Sequence, residues 1–277
     1  MTDATRSRWI TVMVHAALIV GAVLTITPLL WMVSASFMPS GQANQYPPPL
    51  LPRDATFEHY RVLFTRLNLA RAAFNSALIA TVVTAVSVLI NSMAGYAFAK
   101  LAFRGRDRMF QLLIAALVIP AQVAMLPLFL QLKQMGLVNT YMGAMVPTLA
   151  SIFGIFLIRQ YALGIPDALL DAARMDGASE FRIYRTIVLP VIRPILVTLG
   201  IFTFMNSWND FMWPLIVLTD DSLYTLPVAL ANLTGEHVQD TELMMAGSVL
   251  TVLPVLILFL MLQRFYVAGV VAGSVKE

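Results

Sequence analysis

The stretch DAARMDGASEFRIYRTIVLP, Asp171 to Pro190, breaks an otherwise apolar chain. Six of its twenty residues are charged (Asp171, Arg174, Asp176, Glu180, Arg182, Arg185), and alanine and glycine fill much of the rest. It follows YALGIPDALL, in which Pro166 suits the first turn of a helix and Asp167 the positive end of the helix dipole. Good helix formers continue to Met175, and Gly177 supplies the left-handed residue that ends a helix. Ser179 can cap a second helix with Glu180 in its first turn, and Phe181, Tyr184 and Val188 recur at three- and four-residue spacing. Leu189-Pro190 marks the turn into the next apolar segment. The spacing predicts two short helices at an angle, over 166–190, joined at Gly177. Ala168 lies above Ala172, and Leu169 above Ala173, on the first of them.

Outward from this block the chain is apolar in both directions. Hydrophobic residues make up 59% of the 277, charged residues 12%, and mean hydropathy is +0.78. Soluble domains carry about 25% charged residues, so an ordinary water-soluble protein is excluded. A bilayer core about 30 Å thick needs about 20 apolar residues in a helix. Six segments meet or approach that length: 10–34, 72–99, 109–132, 138–158, 194–219 and 243–263. Only the fifth contains an Asp, Glu, Lys or Arg residue, Asp210. Helices are expected, because a lipid-exposed backbone must satisfy its own hydrogen bonds. The expected fold is therefore all-α: one polytopic membrane domain over 1–277, with six transmembrane helices and the charged block between spans four and five. Trp9 and Trp31 lie 22 residues apart, near the two ends of the first segment. In a helix that is about 33 Å, which suits interfacial anchors. A signal peptide is the competing reading, but its apolar region runs only about 7–15 residues, so a retained span is expected. Pro120, Pro127 and Pro147 predict kinks or local unwinding in spans three and four. Residues 39–52, with five prolines, read as a stiff extended connector, and 57–74 as an amphipathic surface helix.

Lys and Arg fix the orientation. Thirteen of the 18 fall before span one, between spans two and three, between four and five, and after six. The other five, Arg53, Arg61, Arg66, Arg71 and Lys133, lie on the opposite side. The positive-inside rule puts both termini and the 166–190 block in the cytoplasm, which for a bacterial chain means a multi-pass inner-membrane protein.

Several chemistries have no sequence support. No phosphate-binding loop, nucleophile elbow or zinc-protease motif occurs, and cysteine is absent. His15, His59 and His237 are far apart, so no metal site and no catalytic residue is expected. No resident cofactor is expected either, and nothing points to nucleic acid. Asp210 alone is thin support for proton coupling. Energy for transport would then enter from another subunit. Physics alone leaves two readings of the 166–190 block open: a docking surface for a partner, or a loop resting on lipid headgroups through Arg182, Arg185 and Arg193.

The spacing Asp171-Ala172-Ala173, three residues, Gly177, nine residues, Ile187, one residue, Leu189-Pro190 resembles the EAA motif of ABC importer permeases. Asp171 stands where that family usually has Glu. The resemblance extends to the maltose-type carbohydrate permeases through FEHYRVLF (57–64), the stretch 75–106 ending AFAKLAFRGR, NSWNDFMWPLIVL (206–218), YTLPVAL (224–230) and the tail from Gln263, which departs at Ala268. It implies a coupling helix that seats in a cytoplasmic ATPase, with Asp171, Ala172, Ala173, Gly177, Ile187, Leu189 and Pro190 as the coupling residues. It also implies a second similar permease, two ATPase subunits that hold ATP and magnesium, and an extracytoplasmic substrate-binding protein.

Asn206, Trp208, Asn209, Asp210 and Trp213, with Ser207, cluster in span five. Polar groups at membrane depth face a protein or water-filled interior, and aromatic faces with amides suit sugar rings, so these are candidate substrate-pathway residues. The bland reading is helix–helix hydrogen bonding with tryptophan as packing. The expected function is half of the translocation pathway of a binding-protein-dependent importer for a sugar or oligosaccharide. Alternatives are a permease for glycerol-phosphate, polyols or another small solute, and an ion-coupled secondary transporter acting alone.

Overall fold

A computed structural model of the chain describes residues 3–65, 67–236 and 240–272, with side chains over 9–65, 67–233 and 240–261. Arg66, His237 and Lys276 lie outside the described residues, as do the side chains of Arg6, Arg8, Arg264 and Ala268. In chain order the α-helices are α1 Asp3–Ala35, α2 Glu58–Thr65, α3 Leu69–Lys100, α4 Arg106–Ala116, α5 Ala121–Gln134, α6 Tyr141–Met145, α7 Ile152–Leu163, α8 Asp167–Met175, α9 Glu180–Ile183, α10 Leu189–Trp208, α11 Met212–Val217, α12 Leu226–Glu236 and α13 Thr241–Ala272. No strand occurs among the described residues.

Trp9–Ala35, Leu69–Lys100 and Thr241–Met261 are each long and apolar enough to cross a membrane; three bent pairs bring the total to at most six. The three central spans of the sequence reading are thus broken. α4 and α5 meet at 103°, because the end of α4 tightens into i→i+3 bonds (Leu117 to Ile114, Val118 to Ala115, Ile119 to Ala116) and Pro120 then sits extended. The segment Tyr141–Thr148 turns 41° into α7 through a 3-10 turn holding Pro147, and the Ser151 hydroxyl caps α7 by accepting from Gly154 N. The fifth span stops at Trp208 and resumes as α11, so Asn209–Phe211 is a break rather than helix.

Two compact units divide the chain: Met1–Leu69 with Leu230–Leu253, and Ala70–Ala229 with Pro254–Glu277. In the first, the proline-rich connector does not run out extended. It folds back on the end of α1, where Trp31 Nε1 donates to Pro49 O (2.9 Å) and Ser34 Oγ to Leu50 O (2.6 Å). Ala43 N donates to Glu242 Oε1 at 2.7 Å, and His59 Nε2 lies 2.8 Å from Met38 O. The helix read over 57–74 ends at Thr65, and Asn68 takes a positive φ of 47° before α3 begins.

In the second unit, α3 is the central rod. Gly95 sits where an added Cβ would fall 2.6 Å from Ile158 Cβ, so the small residue lets α3 press directly on α7. Asn75 Nδ2 donates to Ser222 O (3.0 Å) and Tyr224 O (2.9 Å), Tyr141 OH donates to Asn75 Oδ1 (2.7 Å), and Leu226 N donates to Ser76 Oγ (2.8 Å). These bonds satisfy loop groups that would otherwise be buried unpaired.

Candidate functional site

The 166–190 block folds much as its local signals ask. α8 starts at Asp167, Gly177 takes φ +80°, and Ser179 accepts from Arg182 N to cap α9. Ala178 N donates to Ala173 O (3.0 Å) and Gly177 N to Arg174 O (3.0 Å), closing the turn. The exit differs from the expectation. Tyr184–Val188 is π-helical, Leu189-Pro190 is already inside α10, and the 80° bend falls between Val191 and Arg193. Pro194 explains the position: it lacks the N–H that would bond Pro190 O, and its ring crowds that carbonyl.

Arg174 ties the two short helices together across Gly177. Its Nη1 donates to Asp171 Oδ1 (2.7 Å), its Nε to Glu180 Oε1 (2.7 Å) and its Nη2 to Glu180 Oε2 (3.4 Å). The shorter carboxylate of Asp171 therefore reaches a partner one turn along its own helix. The Arg174 hydrogen bond holds the Glu180 carboxyl below the ordinary glutamate value, against partial burial. Glu180, then Asp171, raise Arg174 in turn above the usual arginine value.

Two residues that the sequence reading did not assign fasten the block to the end of α3. Tyr96 OH donates to Glu180 Oε2 at 2.8 Å. Lys100 Nζ donates to Ile165 O (2.6 Å), Leu163 O (3.3 Å) and Asp167 Oδ1 (2.7 Å), which engages all three ammonium hydrogens. Its side chain is only 6% exposed, and the cation sits at the negative end of α7. The Lys100 hydrogen bond holds the Asp167 carboxyl below its ordinary value. Beneath these bonds Tyr96, Ile165, Leu170, Ile183 and Tyr184 share one apolar cluster, with Ala173, Ile187 and Leu189 packed against it. The opposite face is open. Asp171, Ala172, Gly177 and Pro190 are exposed, and so are Leu169 (46%), Met175 (89%) and Phe181 (64%).

The span-five cluster divides into two faces. Asn206, Ser207 and Asp210, with Thr203, line a cleft of about 480 Å³ that also borders Ser87 and Ser151. Trp208, Asn209 and Trp213 do not line it. Trp208 is buried and stacks on Phe204, with ring centroids 5.9 Å apart. Trp213 is buried, and its indole N–H donates to Gly143 O at 3.1 Å. Asn209 is exposed and bonds back to Met205 O at 2.8 Å. The sequence signal for the division was helical spacing: Thr203, Asn206, Ser207 and Asp210 share one face, and Phe204 and Trp208 another. Behind the cleft, buried Asn91 donates to Ser87 Oγ (2.7 Å) and accepts from Ser151 N (3.0 Å). Among the described residues no group of three or more His, Asp or Glu side chains is placed to hold a metal.

Over 258 residues the chain is 40% identical to the arabinooligosaccharides transport system permease protein AraQ of Halalkalibacterium halodurans, covering 92% of each. It is 33% identical to the lactose transport system permease protein LacG of Rhizobium radiobacter over the whole of both chains. It is 30% identical to the sn-glycerol-3-phosphate transport system permease protein UgpE of Brucella abortus, covering 93% of this chain and 94% of that one. A chain in the crystal structure of a bacterial ABC transporter that imports the acidic polysaccharide alginate shares the fold, with a TM-score of 0.82 at 24% identity over 96% of this chain and 99% of that one. Residues 87–271 match the family described as binding-protein-dependent transport system inner membrane component. This is a family of membrane-embedded permease subunits that are not themselves enzymes, and the chain belongs to it.

Proposed function

We propose that the chain forms half of the translocation pathway for a neutral sugar or oligosaccharide and takes its energy from a separate ATPase. The observation that carries the reading is the 166–190 block: a scaffold fixed on one side by Tyr96 and Lys100, with a face of Ala168, Leu169, Ala172, Met175, Gly177 and Phe181 open on the other. Small and apolar side chains let a partner approach closely, and burying them supplies affinity. An ATPase subunit is the occupant, consistent with membership of an ABC permease family. Two ATPases holding ATP and magnesium, a second similar permease and an extracytoplasmic binding protein complete the assembly. Both termini and the block lie in the cytoplasm. The bent pairs of spans three and four count as one span each and α10 with α11 forms the fifth, giving six spans in a single permease domain over 1–277. ATP binding closes the ATPases, their movement reorients the spans, and the outer side accepts substrate.

The relatives and the cleft support the substrate class. AraQ and LacG are named for sugars and UgpE for a phosphate ester. The cleft offers Ser87, Ser151, Thr203, Asn206 and Ser207, with Asp210 as the one charged group among its lining residues. Hydroxyls and amides match sugar hydroxyls, whereas a lone carboxylate disfavours an anion. Asn206 and Asp210 are the pathway residues that meet substrate; Trp208 and Trp213 support the wall, and Asn209 bonds back to its own helix. The test is co-expression with the ATPase, partner permease and binding protein, followed by ATPase assay with candidate oligosaccharides. Sugar-stimulated hydrolysis is expected, with KM for uptake raised in Asn206→Ala. Uptake by the isolated chain under an ion gradient without ATP would overturn the reading.

A further inference from the structure

We infer that α3, rather than the α10 helix that follows the block in sequence, is the element through which the block moves the pathway. The inference rests on the docking role proposed above and names the residues that transmit it. α10 is a poor rod near the block: it is entered through five π-helical residues and bends by 80° before it runs to the cleft. A push on α9 would be absorbed in that bend. By contrast α3 is a continuous 32-residue helix without proline, about 48 Å long at 1.5 Å per residue.

α3 meets the block along one stripe, at Ser92, Tyr96 and Lys100, three positions spaced by four. Ser92 Oγ lies 2.7 Å from Tyr184 OH, and the rings of Tyr96 and Tyr184 stack obliquely with centroids 5.8 Å apart. Tyr96 then holds α9 through Glu180, and Lys100 holds the start of α8 through Asp167. Both short helices of the block, before and after Gly177, are therefore anchored to the same helix. Higher on α3, Val83 and Ser87 line the cleft and Asn91 holds Ser151 N, while at its far end Asn75 and Ser76 hold the 222–226 loop. One continuous helix thus touches the docking block, the cleft and the distal loop. Ser92, Tyr96 and Lys100 are positioning residues: they touch neither substrate nor ATPase, and they make block and rod one body.

The chain has no cysteine, so two can be introduced as its sole spin-label sites, with the partner subunits used in cysteine-free form. In the complete transporter, labels at Met93→Cys on α3 and Arg185→Cys within the block should keep one distance in nucleotide-free and ATP-trapped states. Both side chains are exposed. A change of about one helical turn, 5 Å, or more between the states would overturn the inference. The double variant Tyr96→Phe/Lys100→Met keeps the side-chain bulk and removes the ties. It should recover its ATPase subunits at the native ratio and hydrolyse ATP, while sugar taken up per ATP falls on the order of tenfold, a usual size for lost coupling between sites. Native uptake per ATP in that variant would equally overturn it. Failure of the ATPase to co-purify with the unsubstituted chain would remove the docking role itself, which separates the two claims.

Discussion

Gly177 offers a test in which backbone strain and partner docking predict opposite orders. Its φ is +80°, and a Cβ built there has nothing within 4 Å, so a substitution meets no steric resistance inside the chain. The cost within the subunit is the left-handed conformation alone, about 1–2 kcal/mol for an ordinary residue and less for Asn or Asp. The turn can bear this, because Arg174 bridges it to Asp171 and Glu180 with two 2.7 Å contacts and the Ala178 N–H closes it on Ala173. If backbone strain were the whole effect, Ala would be worst and Asn and Asp nearly silent. If the exposed face around Gly177 is covered by an ATPase, damage should follow size and charge, with Ala mildest, Asn intermediate and Asp abolishing uptake. The assay is recovery of the ATPase on tagged Gly177→Ala, Gly177→Asn and Gly177→Asp transporters, paired with sugar uptake. Ala worst with Asn and Asp near native would refute the docking argument and leave Gly177 as a turn residue only.

Three further outcomes follow from particular contacts. Gly95→Leu should destabilise the subunit by about 1–3 kcal/mol through overpacking against Ile158, read as a lower Tm in detergent with proportionate loss of protein from the membrane. Trp213→Ala should cost about 3–5 kcal/mol by cavity formation and strand Gly143 O, so it should lower the amount of assembled transporter and leave KM of the remainder unchanged. The folded-state values of Glu180 and Asp167 are depressed, so their ties are fully present above the ordinary carboxylate range, about 4. They are lost as pH falls through the lower folded values. Thermal stability should therefore fall below about pH 4 in the native chain, and less steeply in Glu180→Gln.

Legibility in the sequence tracked the range of the interaction. The Asp167 start, the Gly177 turn and the Ser179 cap depend on groups within a few residues, and the composition there reads them directly. The apolar segments also read correctly as helix, but not as straight spans. Pro120 and Pro147 signalled breaks without the size of the bends, 103° and 41°, which depends on what the two halves pack against. Pro194 was a visible kink signal that the reading passed over in favour of Leu189-Pro190, although a proline acts on the carbonyl four residues before it. The π-helical Tyr184–Val188 carries no comparable local mark.

The site was harder to read, because its decisive contacts join residues far apart. Lys100 counted only as one more positive charge on the cytoplasmic side, yet it pairs with Asp167 across 67 positions and has almost no exposed side chain. Tyr96 read as part of an apolar span, yet its hydroxyl meets Glu180 across 84 positions. A phenol and an ammonium at the end of a membrane helix do have a local explanation as interfacial residues, and that explanation hides the tertiary one. The span-five cluster shows the converse. Asn206 and Asp210 reach the cleft and Trp208 and Trp213 do not, although all sit within eight residues; only face periodicity separates them, and the break after Trp208 then sets Trp213 against Gly143. Polar residues that face an interior from a helix must share one stripe, and indoles whose N–H finds a buried carbonyl act as packing. On that physical ground span five gives the cleft hydroxyls, an amide and one carboxylate, and neither indole lines it.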